Sequence, residues 1–131
     1  MTDAQLKRAY PLKMFYRNLK HLGISSDAPA TTWADPDNVF VSLKAAVTRK
    51  TYNGAGIVPE QAITLPQAVL LYTARAATVV PYEGSLGQIA PGFEASFIVL
   101  DRDIFTIDAE ETDKTLVQQT WIQGEKVYQH P

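Results

Sequence analysis

Asp27, in the tetrapeptide Ser26-Asp27-Ala28-Pro29, is the residue best placed to do chemistry. The segment Gly23-Ile24-Ser25-Ser26-Asp27 reads as a short buried strand that ends in a carboxylate. A loop with two prolines, Ala28-Pro29 to Asp35-Pro36, follows it. Barrel enzymes keep catalytic groups at the C-terminal ends of strands, just before the βα loops. Asp27 is therefore a candidate general base or metal ligand. An Asp in this setting can equally bind its own backbone in an Asx turn. Spacing alone leaves both readings open.

A carboxylate needs partners, and the chain supplies few. A hydrolytic metal site typically takes three or more protein ligands, commonly His with a carboxylate. The two histidines, His21 and His130, stand in no ligand spacing. His21 suits the end of a helix, where a cation meets the negative dipole end. There is no Gly-x-Ser-x-Gly elbow, phosphate loop or Gly-x-Gly-x-x-Gly. Arg49 could meet a substrate anion or form a salt bridge on its helix. Lys13, Arg17 and Lys20 form a basic stripe that reads as the wet side of an amphipathic helix.

Bulk properties narrow the classes. At 131 residues the chain can hold one modest core. With 46% apolar and 20% charged residues it is ordinary globular material. The absence of cysteine excludes disulfides and thiolate metal sites, and fits a cytoplasmic protein. No apolar run nears the ~20 residues of a membrane span. A net charge of −2 gives no general attraction to nucleic acid. The charge is uneven: residues 1–50 are net +4 and residues 51–131 net −6.

Helices are expected at 11–22, 38–51 and 65–77. The first would present Leu12, Phe15, Leu19 and Leu22 on one face and stop at Gly23. Asp37 is the expected cap of the second. Thr64-Leu65-Pro66-Gln67 forms a capping box for the third. After Pro81 the pattern changes to strands. Phe97 to Leu100 reads as a buried strand, and Asp108 with Glu111 could cap a short turn. Val117 to Ile122 and Glu125 to Tyr128 read as a hairpin about Gln123-Gly124. Two units follow, 1–83 and 84–131. Three strands are marginal without a cover, so the second unit reads as part of a larger sheet.

In this order and spacing, several pieces resemble one family over nearly the whole chain. They are Ser26-Asp27-Ala28-Pro29, Ala45-Ala46-Val47-Thr48-Arg49, Ala68 to Ala77, Gly84-Ser85-Leu86-Gly87, Pro91-Gly92 to Asp101, and Thr120-Trp121-Ile122 with Gly124. The chain resembles the C-terminal third to quarter of a metal-dependent amidohydrolase, in the branch of formamide-deformylase-like and exoenzyme-regulatory-protein-like members. The resemblance implies an α+β chain. Its first unit would hold the final strand and helices of a (β/α)8 barrel, and its second part of a small composite β-sandwich. It implies that Asp27 ends strand eight, binds a divalent metal such as zinc, and takes the proton of the attacking water. Ser25-Ser26 departs from the Gly usual before this Asp. Ala95-Ser96 departs from the usual Ala-Asp, an acid with a structural role.

The family's other metal ligands fall outside these residues, so the chain alone is expected to hold no metal. The expectation is a truncated or split reading frame beginning at Met1, related to hydrolases of non-peptide C–N bonds and inactive by itself. Its expected partners are further copies of itself or the missing N-terminal barrel segment, not nucleic acid or a membrane. The rival expectation is a non-catalytic, self-associating interaction module.

Overall fold

Thr64 and Gln67 close their capping box as the sequence requires. In the computed structural model of the chain, which describes residues 5, 8–27, 37–81 and 84–131, Gln67 N–H donates to Thr64 Oγ1 at 3.4 Å. Thr64 N–H donates to Gln67 Oε1 at 3.0 Å. The box starts α3 (Leu65–Tyr72), which follows α1 (Leu12–Asn18) and α2 (Val39–Thr48). Three 3-10 turns intervene, Pro59–Gln61, Ala76–Val79 and Ala109–Lys114. The strands are β1 (Phe97–Leu100), β2 (Val117–Ile122) and β3 (Glu125–Gln129). They form an antiparallel sheet in the order β1-β2-β3. The architecture is α+β.

The core lies between α2 and α3. Phe40, Leu43 and Ala46 of α2 meet Ala68 and Leu71 of α3, with Ile63 completing the cluster. Burying side chains the size of Phe40, Leu43 or Leu71 stabilises by about 1.5–3 kcal/mol each. The other side of α2 carries the turn Ala109–Lys114. Lys44 Nζ bonds Asp113 Oδ2 at 2.9 Å, and Lys50 Nζ reaches Glu110 Oε1 at 2.5 Å. Part of the uneven charge is thus neutralised inside the chain, across the boundary expected near residue 83.

Several elements differ from the sequence expectation. Asn38, not Asp37, caps α2: its side chain accepts from Phe40 N–H at 3.0 Å. α1 ends at Asn18 rather than at Gly23, because Leu19 is extended and its carbonyl is claimed from outside the helix. The Arg75 guanidinium donates to Tyr16 O, Leu19 O and Lys20 O, and stacks 4.5 Å from the Tyr16 ring centroid. The core-facing pair of α1 is Leu12 and Tyr16, while Phe15 and Leu19 remain exposed. The helix expected at 65–77 breaks at Thr73 and resumes as the turn Ala76–Val79. There Gly87 approaches so closely that a Cβ would lie 2.8 Å from the Thr73 carbonyl.

Residues 23–27 form no strand. Ile24 N–H donates instead to Leu71 O at 3.2 Å, at the end of α3. A strand exists only through a neighbour's hydrogen bonds, and no described strand lies beside this segment. β1 is a strand but not a buried one: Ile98 and Val99 are exposed. Only Leu100 and Val117 of the sheet pack against the helical core. The hairpin forms as expected, with positive φ at Gln123 (53°) and Gly124 (82°), the signature of a type I′ turn.

Candidate functional site

Asp27 stands at the end of the segment that Ile24 fastens to α3. It is exposed, and its φ is +58°. Left-handed backbone is costly for most residues, but a short polar side chain such as Asp adopts it singly. Its N–H lies 3.4 Å from Ser25 Oγ. The loop beyond it, 28–36, is outside the described residues, and so is the Asx-turn alternative that depends on that loop.

Beside this segment opens an apolar cleft of about 510 Å³ between α1, residues 22–25 and α2. Leu12, Phe15, Ile24, Ala46, Arg49 and Tyr72 line it, and Asp27 does not. Of the two sequence candidates, only Arg49 lines this cleft. Arg49 caps α2 in the left-handed conformation. Its guanidinium spans the cleft wall, with Nε donating to Ile57 O and Nη2 to Tyr10 O, both at 3.1 Å. Burial pulls the Arg49 pKa down, and the Glu60 charge opposes this. Both bonds go to backbone carbonyls, so these contacts are not the helix salt bridge expected of Arg49.

Tyr72 is the polar group that sequence reasoning missed here. Its hydroxyl is buried and makes no hydrogen bond of ordinary geometry. Burial pushes the phenol up, and the nearby Ser42 hydroxyl partly offsets this. In the sequence Tyr72 looks like one more apolar residue of α3. Arg75 was legible in principle, as a lone cation inside an Ala- and Leu-rich stretch.

Residues 4–128 match the model of the amidohydrolase family. The chain belongs to that family. Among its curated relatives is a protein of Bacillus subtilis (strain 168) named amidohydrolase YtcJ. The two are 33% identical over 107 residues, which is 79% of this chain and 20% of the relative. Another is N-substituted formamide deformylase of Arthrobacter pascens, 26% identical over 117 residues, 89% of this chain and 21% of the relative. The chain thus spans about a fifth of the length of these relatives. No solved structure matches it.

Amidohydrolases are generally metal-dependent, so the donor set of this chain can be tested against a metal. Among the described residues no group of three or more His, Cys, Asp or Glu side chains converges. Asp27 is exposed, and His21 lies on the surface six positions before it. The described donors do not fit a metal centre by themselves. No hydrolytic step is assigned to them alone.

At the other end of the chain, the departure at Ala95-Ser96 has a structural role. Ser96 Oγ accepts from Gln123 N–H at 3.0 Å and donates to Glu94 Oε1 at 2.7 Å. Gly124 N–H donates to Ala95 O at 2.9 Å. A hydroxyl here fastens the hairpin turn to the residues before β1.

Proposed function

We propose that this chain is a C-terminal part of a metal-dependent amidohydrolase acting on non-peptide C–N bonds, and that Asp27 is the acid it contributes to that site. The supporting observation is the family match over residues 4–128, which contains Ser26-Asp27-Ala28-Pro29. Asp27 is exposed and is not among the cleft-lining residues. Such a carboxylate is available to a neighbouring segment, and an ionised carboxylate within reach of an attacking water can accept its proton. The remaining donors would come from polypeptide beyond these 131 residues, so the chain alone is expected to be inactive.

Metal analysis of the purified chain by mass spectrometry, with an amide-hydrolysis assay, tests this reading. The expected outcome is zinc far below one equivalent and no turnover. Tightly bound stoichiometric zinc together with hydrolysis would overturn it. The role of Asp27 is tested separately, by co-expressing the chain with an amidohydrolase segment that supplies the missing barrel. Hydrolysis by that pair should be lost on Asp27→Asn, and undiminished turnover removes Asp27 from the site.

A second reading is favoured by the sheet. Ile98, Val99, Ile122, Val127 and Tyr128 are all exposed on a three-stranded sheet, and exposed apolar surface of this kind seeks a partner. On this reading the chain is a self-associating interaction module. Light scattering behind a sizing column separates the two: a monomer at every concentration argues against the module.

A further inference from the structure

We infer that Asn53 is a site of spontaneous deamidation, promoted by the turn that holds it. The chain has three asparagines, and only Asn53 precedes a glycine. Tyr52, Asn53, Gly54, Ala55 and Gly56 are all exposed. Gly54 has φ +83°, and no atom lies within 4 Å of where its Cβ would be.

The turn also prepares the side chain for attack. Asn53 Oδ1 lies 2.5 Å from Thr51 Oγ1 and accepts from Ala55 N–H at 3.4 Å. The N–H of Ala55 requires an acceptor, which fixes the oxygen rather than the amide nitrogen at this position. Two donors aimed at a carbonyl oxygen stabilise the negative charge it gains when the carbon is attacked. Thr51 carries a single proton, and that proton can also turn to Ala55 O at 3.0 Å.

The chemistry closes without any co-reactant but water. The Gly54 nitrogen loses its proton to solvent and bonds Asn53 Cγ, placing a negative charge on Oδ1. Collapse of this intermediate expels the side-chain nitrogen, which leaves protonated as ammonia, and a succinimide remains. Water then opens the ring. Cleavage of the new N–Cγ bond gives aspartate, and cleavage of the original peptide bond gives isoaspartate. The hydrogen bond from Gly54 N–H to Thr51 O at 2.9 Å opposes the attack. A single turn bond in an exposed loop opens at little cost.

Either product changes the loop. Both add a carboxylate three positions from Lys50, whose ammonium bridges Glu110. Isoaspartate also routes the main chain through Cβ, which disrupts the bond from Thr51 N–H to Ala55 O at 2.8 Å.

The test is incubation of the purified folded chain at mildly alkaline pH, followed by tryptic mass mapping and isoaspartyl methyltransferase labelling. The peptide 51–75 should accumulate aspartate and isoaspartate, while Asn18 and Asn38 stay intact. Thr51→Val should slow conversion about fivefold, the scale of one net hydrogen bond. Thr51→Ser should restore the rate, and Gly54→Ala should suppress conversion. Slower conversion of Asn53 in the folded chain than in the same chain in urea would overturn the inference. A Thr51→Val rate equal to or above that of the parent would overturn it as well.

Discussion

Two arginines tie this chain's backbone together across long stretches of sequence. Arg49 binds the carbonyls of Tyr10 and Ile57, and Arg75 binds those of Tyr16, Leu19 and Lys20. In both cases the guanidinium fork serves several carbonyls at once, which a lysine cannot reproduce. Arg49→Lys should therefore lower stability by about 1.5–3 kcal/mol in urea titration, the range of charge-assisted hydrogen bonds. If the substitution leaves the urea midpoint unchanged, the carbonyl contacts do not hold the cleft wall. Tyr72 gives the opposite expectation. Its buried hydroxyl makes no hydrogen bond of ordinary geometry, with Ser42 only nearby, so Tyr72→Phe gives up little bonding and should leave the melting temperature unchanged or raise it. A clear loss of stability would show that the hydroxyl is bonded in solution.

At the scale of elements, local signals carried well and distant ones did not. The capping box of α3 and the Gln123-Gly124 turn are decided by residues next to one another, and both formed as the sequence implied. Thr64→Ala should accordingly cost α3 about 1 kcal/mol, read as a lower thermal midpoint. The end of α1 is decided by Arg75, which lies 55 to 59 positions away, so no local rule could find it. The choice of Asn38 over Asp37 as cap turns on one position between two residues that cap equally well. The segment 23–27 looked like a strand because its residues suit one, yet a strand also needs a neighbour, and the described residues offer none. The candidate site divides the same way. Asp27 was legible as a lone acid, while the carbonyl contacts of Arg49 depend on the tertiary path of the chain.

Charge and exposed surface act on the molecule as a whole. The Asp113 hydrogen bond, opposed by burial, raises the pKa of Lys44. A raised lysine contributes stability fully below its ordinary value of 10.5 and loses it as pH climbs through the folded value. Burial raises Tyr72 from 10.0, so folding resists its ionisation in the same alkaline window. On the acid side the Lys50 hydrogen bond depresses Glu110 below its ordinary 4.5. The contribution of Glu110 is present above that value and disappears as pH falls through the folded pKa. The urea midpoint should be flat at neutral pH and fall at both extremes, and Lys44→Met should shrink the alkaline fall. An alkaline limb that Lys44→Met and Tyr72→Phe leave untouched would locate it elsewhere. The self-association proposed for this chain would rest on the sheet. Every residue of β3 is exposed, and an open edge with apolar side chains invites pairing. Val127→Lys should reduce self-association in light scattering without changing the melting temperature.

α1 has no buried residue. Beyond Leu12 and Tyr16 it is held by Arg75 and by the bond from Met14 N–H to Gln61 Oε1 at 3.0 Å. A helix fastened mainly by a few polar anchors can detach while the α2–α3 core stays closed. Native-state hydrogen exchange should find its amides opening in a low-energy event of their own, separate from global unfolding. Arg75→Ala should make that event more frequent without disturbing the slowest amides of α3. Of the described helices, α1 would then be the first to come free and the last to settle as the chain folds.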